Sequence, residues 1–67
     1  MKPIVLVGIG EVSLEEFEAM FSGWVNAGAP KPVLDGKREE KAAVLRLVAD
    51  RGDSQTRAIV ESLLSEL

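Results

Sequence analysis

From Ser13 to Ala27 apolar side chains return every three or four positions. Leu14, Phe17, Phe21, Trp24 and Val25 fall on one side of a helix, with Met20 and Ala27 at its edge. Glu15, Glu18, Ser22 and Asn26 fall on the other. The spacing predicts an amphipathic helix over 13–27 that holds every aromatic side chain of the chain. Its start is written in Ser13-Leu14-Glu15-Glu16, a capping box in which the Ser13 hydroxyl accepts from the Glu16 amide and Glu16 reaches back. Val12 and Phe17 are spaced as a hydrophobic staple, and the early glutamates suit the positive end of the helix dipole. Gly28 is the stop, with Pro30 and Pro32 forbidding continuation. Gly23 inside the helix costs about 1 kcal/mol relative to Ala.

The pattern is different on either side. Ile4-Val5-Leu6-Val7 is continuously apolar and mostly β-branched, which predicts a strand over 3–9 with both faces covered. A strand needs a hydrogen-bonding partner. Two are open: the short stretch 32–35, in a small parallel βαβ unit, or the same strand of a second copy, in an antiparallel ribbon. A second helix is predicted over 37–51, capped by Asp35. Ala42, Leu45, Val48 and Ala49 lie on one side, Val44 beside them, and Ala43 and Leu47 on a second apolar side. Gly52 ends it. Asp53 or Ser54 caps a third helix over 54–67, with Ile59, Val60, Leu63, Leu64 and Leu67 as its stripe.

These elements define an α+β, α-rich fold: one N-terminal strand followed by three amphipathic helices, in a single small domain over 1–67. The expected core is Phe17, Phe21, Trp24, Leu45, Val48, Ile59, Leu63 and Leu64.

Length changes the picture first. A 67-residue chain buries little of its surface, and chains of this size lean on disulfides, metals or oligomerisation. With no Cys and no His, disulfides and thiolate or imidazole metal sites are removed, so no metal and no cofactor is expected. Self-association is left, and a homodimer or higher oligomer is the expectation. Its candidate interfaces are Ile4, Val5, Leu6 and Val7 on the strand and Ala43 and Leu47 on the second helix. The apolar run Ile4–Val7 is too short for a signal core or a membrane span, and a cytoplasmic location is expected.

The net charge of −3 is uneven. Up to Gly36 there are two basic residues against five acidic ones, and from Lys37 onward six of each. Such a chain is a poor general binder of phosphate backbones.

Gly8-Ile9-Gly10-Glu11-Val12-Ser13, between a strand and a helix, with Asp35 after the second candidate strand, resembles the opening of a dinucleotide-binding Rossmann unit. That resemblance implies nucleotide binding at Gly8 and Gly10. Ser13 stands where a third small residue belongs, and Glu11, Glu15 and Glu16 would surround the phosphates with negative charge. The tight junction of the second and third helices resembles a helix-turn-helix, which would offer Gln55, Thr56 and Arg57 to DNA. The strand-then-helices order is similar to that of ribbon-helix-helix repressors, but this ribbon presents only Ile, Val and Leu. Arg51-Gly52-Asp53-Ser54 spells an integrin-recognition tetrapeptide, and a helix stop followed by a cap explains it more simply.

No His, Cys or Tyr completes a nucleophilic site, and the carboxylates stand in first turns rather than apolar pockets, so an enzyme is not expected. The leading reading is a non-enzymatic protein–protein interaction module: a small adaptor, assembly factor or inhibitor. A DNA-binding regulator is second and nucleotide binding third.

Overall fold

The computed structural model describes residues 3–67. Two strands, β1 (Ile4–Leu6) and β2 (Gly10–Val12), precede three helices, α1 (Leu14–Ala27), α2 (Arg38–Arg51) and α3 (Ser54–Ser65). The fold is α+β and α-rich, as the pattern predicts. The chain divides into two compact units, one ending at Gly36 and one spanning Lys37–Leu67.

In the first unit the predicted strand stops at Leu6. Val7–Ile9 form a turn, closed by the Ile9 amide donating to the Leu6 carbonyl at 3.2 Å. Gly8 sits at its third position with φ 79°, while Val7 keeps a negative φ, the combination that a type II turn requires. The chain then doubles back. Ile4 pairs with Val12, Val5 with Glu11 and Leu6 with Gly10, all antiparallel. A second strand at Gly10–Val12 was not expected from the sequence.

The stretch 32–35 does pair with β1, but not as a parallel βαβ unit. Leu34 meets Leu6 antiparallel, the Val7 amide donates to the Val33 carbonyl at 2.8 Å, and the Asp35 amide to the Val5 carbonyl at 2.8 Å. β1 is thus the middle of three extended segments, with both edges filled by its own chain rather than by a second copy. A hairpin closes a very short loop, which costs less chain entropy than bringing two chains together.

α1 begins as predicted. Glu16 donates its amide to the Ser13 hydroxyl at 3.0 Å, and Ser13 donates its own amide to the Glu16 carboxylate at 2.9 Å. It ends at Gly28 in the left-handed region, φ 71°, where the amides of Gly28 and Ala29 both donate to the Gly23 carbonyl. Phe17 and Phe21 are buried. Phe21 meets Trp24 edge-on at 5.5 Å, and the Lys31 ammonium lies 5.4 Å from the Trp24 ring, so Trp24 is half-buried rather than in the core.

In the second unit α2 packs against α3. Asp35 does not cap α2. Its carboxylate accepts from the Gly36 amide at 2.8 Å, and Lys37 stands at the N-cap, donating its amide to Glu40 at 3.1 Å. Asp53, not Ser54, caps α3 by accepting from the Thr56 amide at 2.9 Å. Leu45 and Val48 are buried as expected. Ile59, Leu63 and Leu64 are half-buried, and Val60, one turn position away, is fully enclosed. Ile4, Leu6, Val12, Ala42 and Val44 complete the buried apolar set among the described residues.

Candidate interaction surface

The pleat of β1 sorts its side chains by parity. Ile4 and Leu6 point inward and are 2 % and 1 % exposed. Val12 is opposite Ile4 and is buried with it; Leu34, opposite Leu6, is half-buried. The other parity faces outward. On that side Val5 is half-buried and Val7 is 56 % exposed.

The register arranges this outward face in two rows. Val5 lies between Glu11, opposite it on β2, and Asp35, opposite it on the other edge, so the first row reads Glu11-Val5-Asp35. The Val5 carbonyl accepts from the Asp35 amide, on the edge away from β2, so Val5 and Glu11 are the close, non-hydrogen-bonded kind of antiparallel pair. The second row is Val7 opposite Val33, the latter 51 % exposed. Ile9, 62 % exposed, ends the same turn. Val7, Ile9 and Val33 are the large apolar side chains left open among the described residues. The face therefore has an apolar end at the hairpin tip and an acidic end two residues along. The sequence expected both faces of this strand to be covered; one is not.

This geometry reassigns the interface candidates. Ile4 and Leu6 belong to the interior, and only Val5 and Val7 reach the surface. Ala43 on α2 is exposed and Leu47 half-buried, so that second apolar side is partly open as well. Ile9, inside the expected interface stretch 4–9, is open as well, and Val33 lies outside the expected candidates. The continuous run at 4–7 masked the alternation that would have flagged Val33 through its pairing with Val7.

The glycines serve the hairpin. Gly8 and Gly10, with φ 79° and 102°, lead into β2 and not into a helix, so Glu11 and Val12 separate the turn from the start of α1. The strand-turn-helix geometry of a dinucleotide-binding unit is not formed.

At the corner of α2 and α3, Gln55 is exposed, Thr56 half-buried and Arg57 exposed. Arg57 folds back and donates its Nε to the Ala49 carbonyl at 3.3 Å, near the negative end of the α2 dipole. The corner holds a carboxylate too. The Thr56 amide, then the Thr56 hydroxyl, keep Asp53 below its ordinary value of 3.8, and Arg57 adds a smaller push in the same direction. Ser13 does the same for Glu16, its amide first and its hydroxyl second, holding it below 4.5. Both are capping carboxylates held ionised, the opposite of the raised, proton-holding carboxyl that a general acid needs. No polar side chain is buried among the described residues, and none of their carboxylates cluster in threes to hold a metal ion. None of the described helices is long and apolar enough to cross a membrane.

Comparison with protein-family models, curated proteins and solved structures finds no match to this chain.

Proposed function

We propose that this chain is a non-enzymatic protein–protein interaction module, a small adaptor, assembly factor or inhibitor, which works as an oligomer in the cytoplasm. The observation that carries it is the open apolar end of the hairpin face, Val7, Ile9 and Val33, beside residues that are almost fully enclosed. A monomeric domain this small gains stability by burying such side chains, and a site kept for a partner accounts for their exposure. The half-open side of α2 around Ala43 and Leu47 is the surface through which copies would associate.

The alternative, a regulator that reads DNA with Gln55, Thr56 and Arg57, finds less support. Arg57, the one cation of the three, is hydrogen-bonded within the corner, and the chain carries net charge −3. Light scattering over a dilution series, with Ala43→Glu and Leu47→Glu as variants, tests the leading reading. An oligomer that dissociates in these variants supports it. A monomer at every concentration that binds duplex DNA, with salt-dependent affinity lost in Arg57→Ala, would replace it.

A further inference from the structure

The two-row face specifies more than an unspecified partner. We propose that it docks a segment of another protein that lays an apolar side chain over Val7 and Val33 and a lysine or arginine between Glu11 and Asp35. This rests on the interaction-module reading above. The geometry sets the spacing. Val5 and Val7 are two residues apart on one strand, so the rows lie about 7 Å apart, and the bound segment carries its apolar and basic groups at that separation. Neighbouring residues on one face of a strand, or residues three to four apart on a helix, match it.

Charge selects the occupant. Glu11 and Asp35 flank the same row, and the unit that contains them has five acidic residues against two basic ones by sequence. Asp35 gives one oxygen to the Gly36 amide, and the second stays available. A second copy laid over the whole face would set carboxylates against carboxylates or against Val7 and Val33, with no cation from the face to answer them. A second copy meeting it only at the tip would bury Val7, Ile9 and Val33 and little else, far below the ~800 Å² per partner of a stable interface. An apolar segment with basic flanks satisfies both rows at once.

The test is an NMR titration of the full 67-residue chain with three ten-residue peptides, in which pairs of valines alternate with pairs of lysines, glutamines or glutamates, so that each face of the extended peptide carries the two kinds in turn. The expected result is an affinity order of lysine over glutamine over glutamate. Amide shifts should concentrate at Val5, Val7, Ile9, Glu11 and Val33. Glu11→Gln with Asp35→Asn should weaken the lysine peptide roughly twofold to thirtyfold at low salt, since two exposed ion pairs are removed. Val7→Asp should abolish binding by all three.

Shifts spread over Glu15, Glu18 and Glu61 instead would mean unselective attraction to an acidic protein and would overturn the proposal. So would equal binding of the three peptides, or binding of none. The reading beneath it fails separately. Silent peptides with hairpin amides that shift on dilution would assign this face to a second copy, leaving an interaction module with a different occupant. Silent peptides with a concentration-independent monomer would remove both.

Discussion

Two glycines with unremarkable backbone angles should respond in opposite directions to the same added methyl group. Gly52 joins α2 to α3 with φ −103°, which any residue adopts, so the backbone gives no reason for glycine there. The reason is space. A Cβ at position 52 would stand 2.6 Å from Thr56 Cγ2, 2.7 Å from Thr56 Cβ and 3.0 Å from the Val48 carbonyl oxygen. Thr56 cannot swing away cheaply. It is β-branched, its Cβ is fixed by the first turn of α3, and its amide is held by Asp53. The neighbouring carbonyl belongs to the α2 backbone. Relief therefore means moving one helix end against the other. Overpacking of this kind costs about 1–3 kcal/mol, while the loss of glycine's freedom in the unfolded chain returns about 0.4–1 kcal/mol. A net destabilisation of roughly 1–2 kcal/mol follows for Gly52→Ala, a fall in Tm of about 4–16 °C for a domain of this size.

Gly23 lies in the interior of α1, where an added Cβ would meet only Ala29 Cβ, at 3.5 Å, an ordinary contact. Gly23→Ala should thus stabilise by about 0.5–1 kcal/mol, the usual gain of helix propensity. Thermal and urea melts followed by circular dichroism measure both. Adding Thr56→Gly to Gly52→Ala removes the two closest atoms, so the double variant should lose less than the sum of the singles. A Gly52→Ala protein as stable as the parent, or strict additivity in that cycle, would refute the steric argument. Trp24 fluorescence adds a second reading, because Trp24 and Gly52 lie in different units. If 1–67 is one cooperative domain, Gly52→Ala lowers the fluorescence midpoint as much as the dichroism midpoint.

Acid should destabilise the fold through its two capping carboxylates. Glu16 and Asp53 have folded values below their ordinary 4.5 and 3.8. As pH falls through that range the unfolded chain takes up protons first, so the stability present above it is progressively lost. Glu16→Gln and Asp53→Asn keep a capping oxygen but do not titrate, and the double variant should show a flatter Tm profile below pH 4.5 than the parent. Ser13→Ala, which removes the hydroxyl that accepts from Glu16, should cost about 1 kcal/mol in a urea melt. Lys31→Ala should cost about 0.5–1 kcal/mol and alter Trp24 emission, because the ammonium is withdrawn from the indole face.

Much of the helical half was legible because its signals are local. Ser13 and Glu16 are three residues apart, Gly28 follows the last apolar position, and Asp53 precedes the third helix; each acts within one turn of its own position. The core residues Phe17, Phe21, Leu45 and Val48 follow from helical period alone. The period locates a stripe but not its most buried line, which is why Val60 was passed over for Ile59, Leu63 and Leu64. Gly52 ends α2 as the pattern predicts, but the crowding that a Cβ there would meet at Thr56 is an atom-level feature that no pattern of residue types discloses.

The sheet was harder for a physical reason. Periodicity distinguishes an inner from an outer face only where polar and apolar residues alternate, and Ile4-Val5-Leu6-Val7 is apolar throughout. The sequence therefore permits Val5 and Val7 to face either the interior or solvent, and pairing decides. Pairing was set by Gly8, whose positive φ turns the chain after three strand residues and brings Gly10–Val12 back along β1. Once that turn forms, the register is fixed. Ile4 and Leu6 must share a face with Val12, and Val5 must share one with Glu11. A carboxylate beside Val5 cannot be buried without a partner, so this face is held outward. The hydrophobic run that suggested a doubly covered strand then becomes, on its other parity, an open apolar surface. Glu11 is thus the residue that ties fold to proposed function: it orients the sheet, and it supplies half of the charge that a docking segment would answer. Substituting it with valine tests that link directly. Glu11→Val should preserve or raise the melting temperature, since valine is the better strand former, while promoting self-association through an enlarged apolar face. A Glu11→Val protein whose oligomeric state at high concentration matches the parent's would separate the orientation of the sheet from the chemistry of its surface.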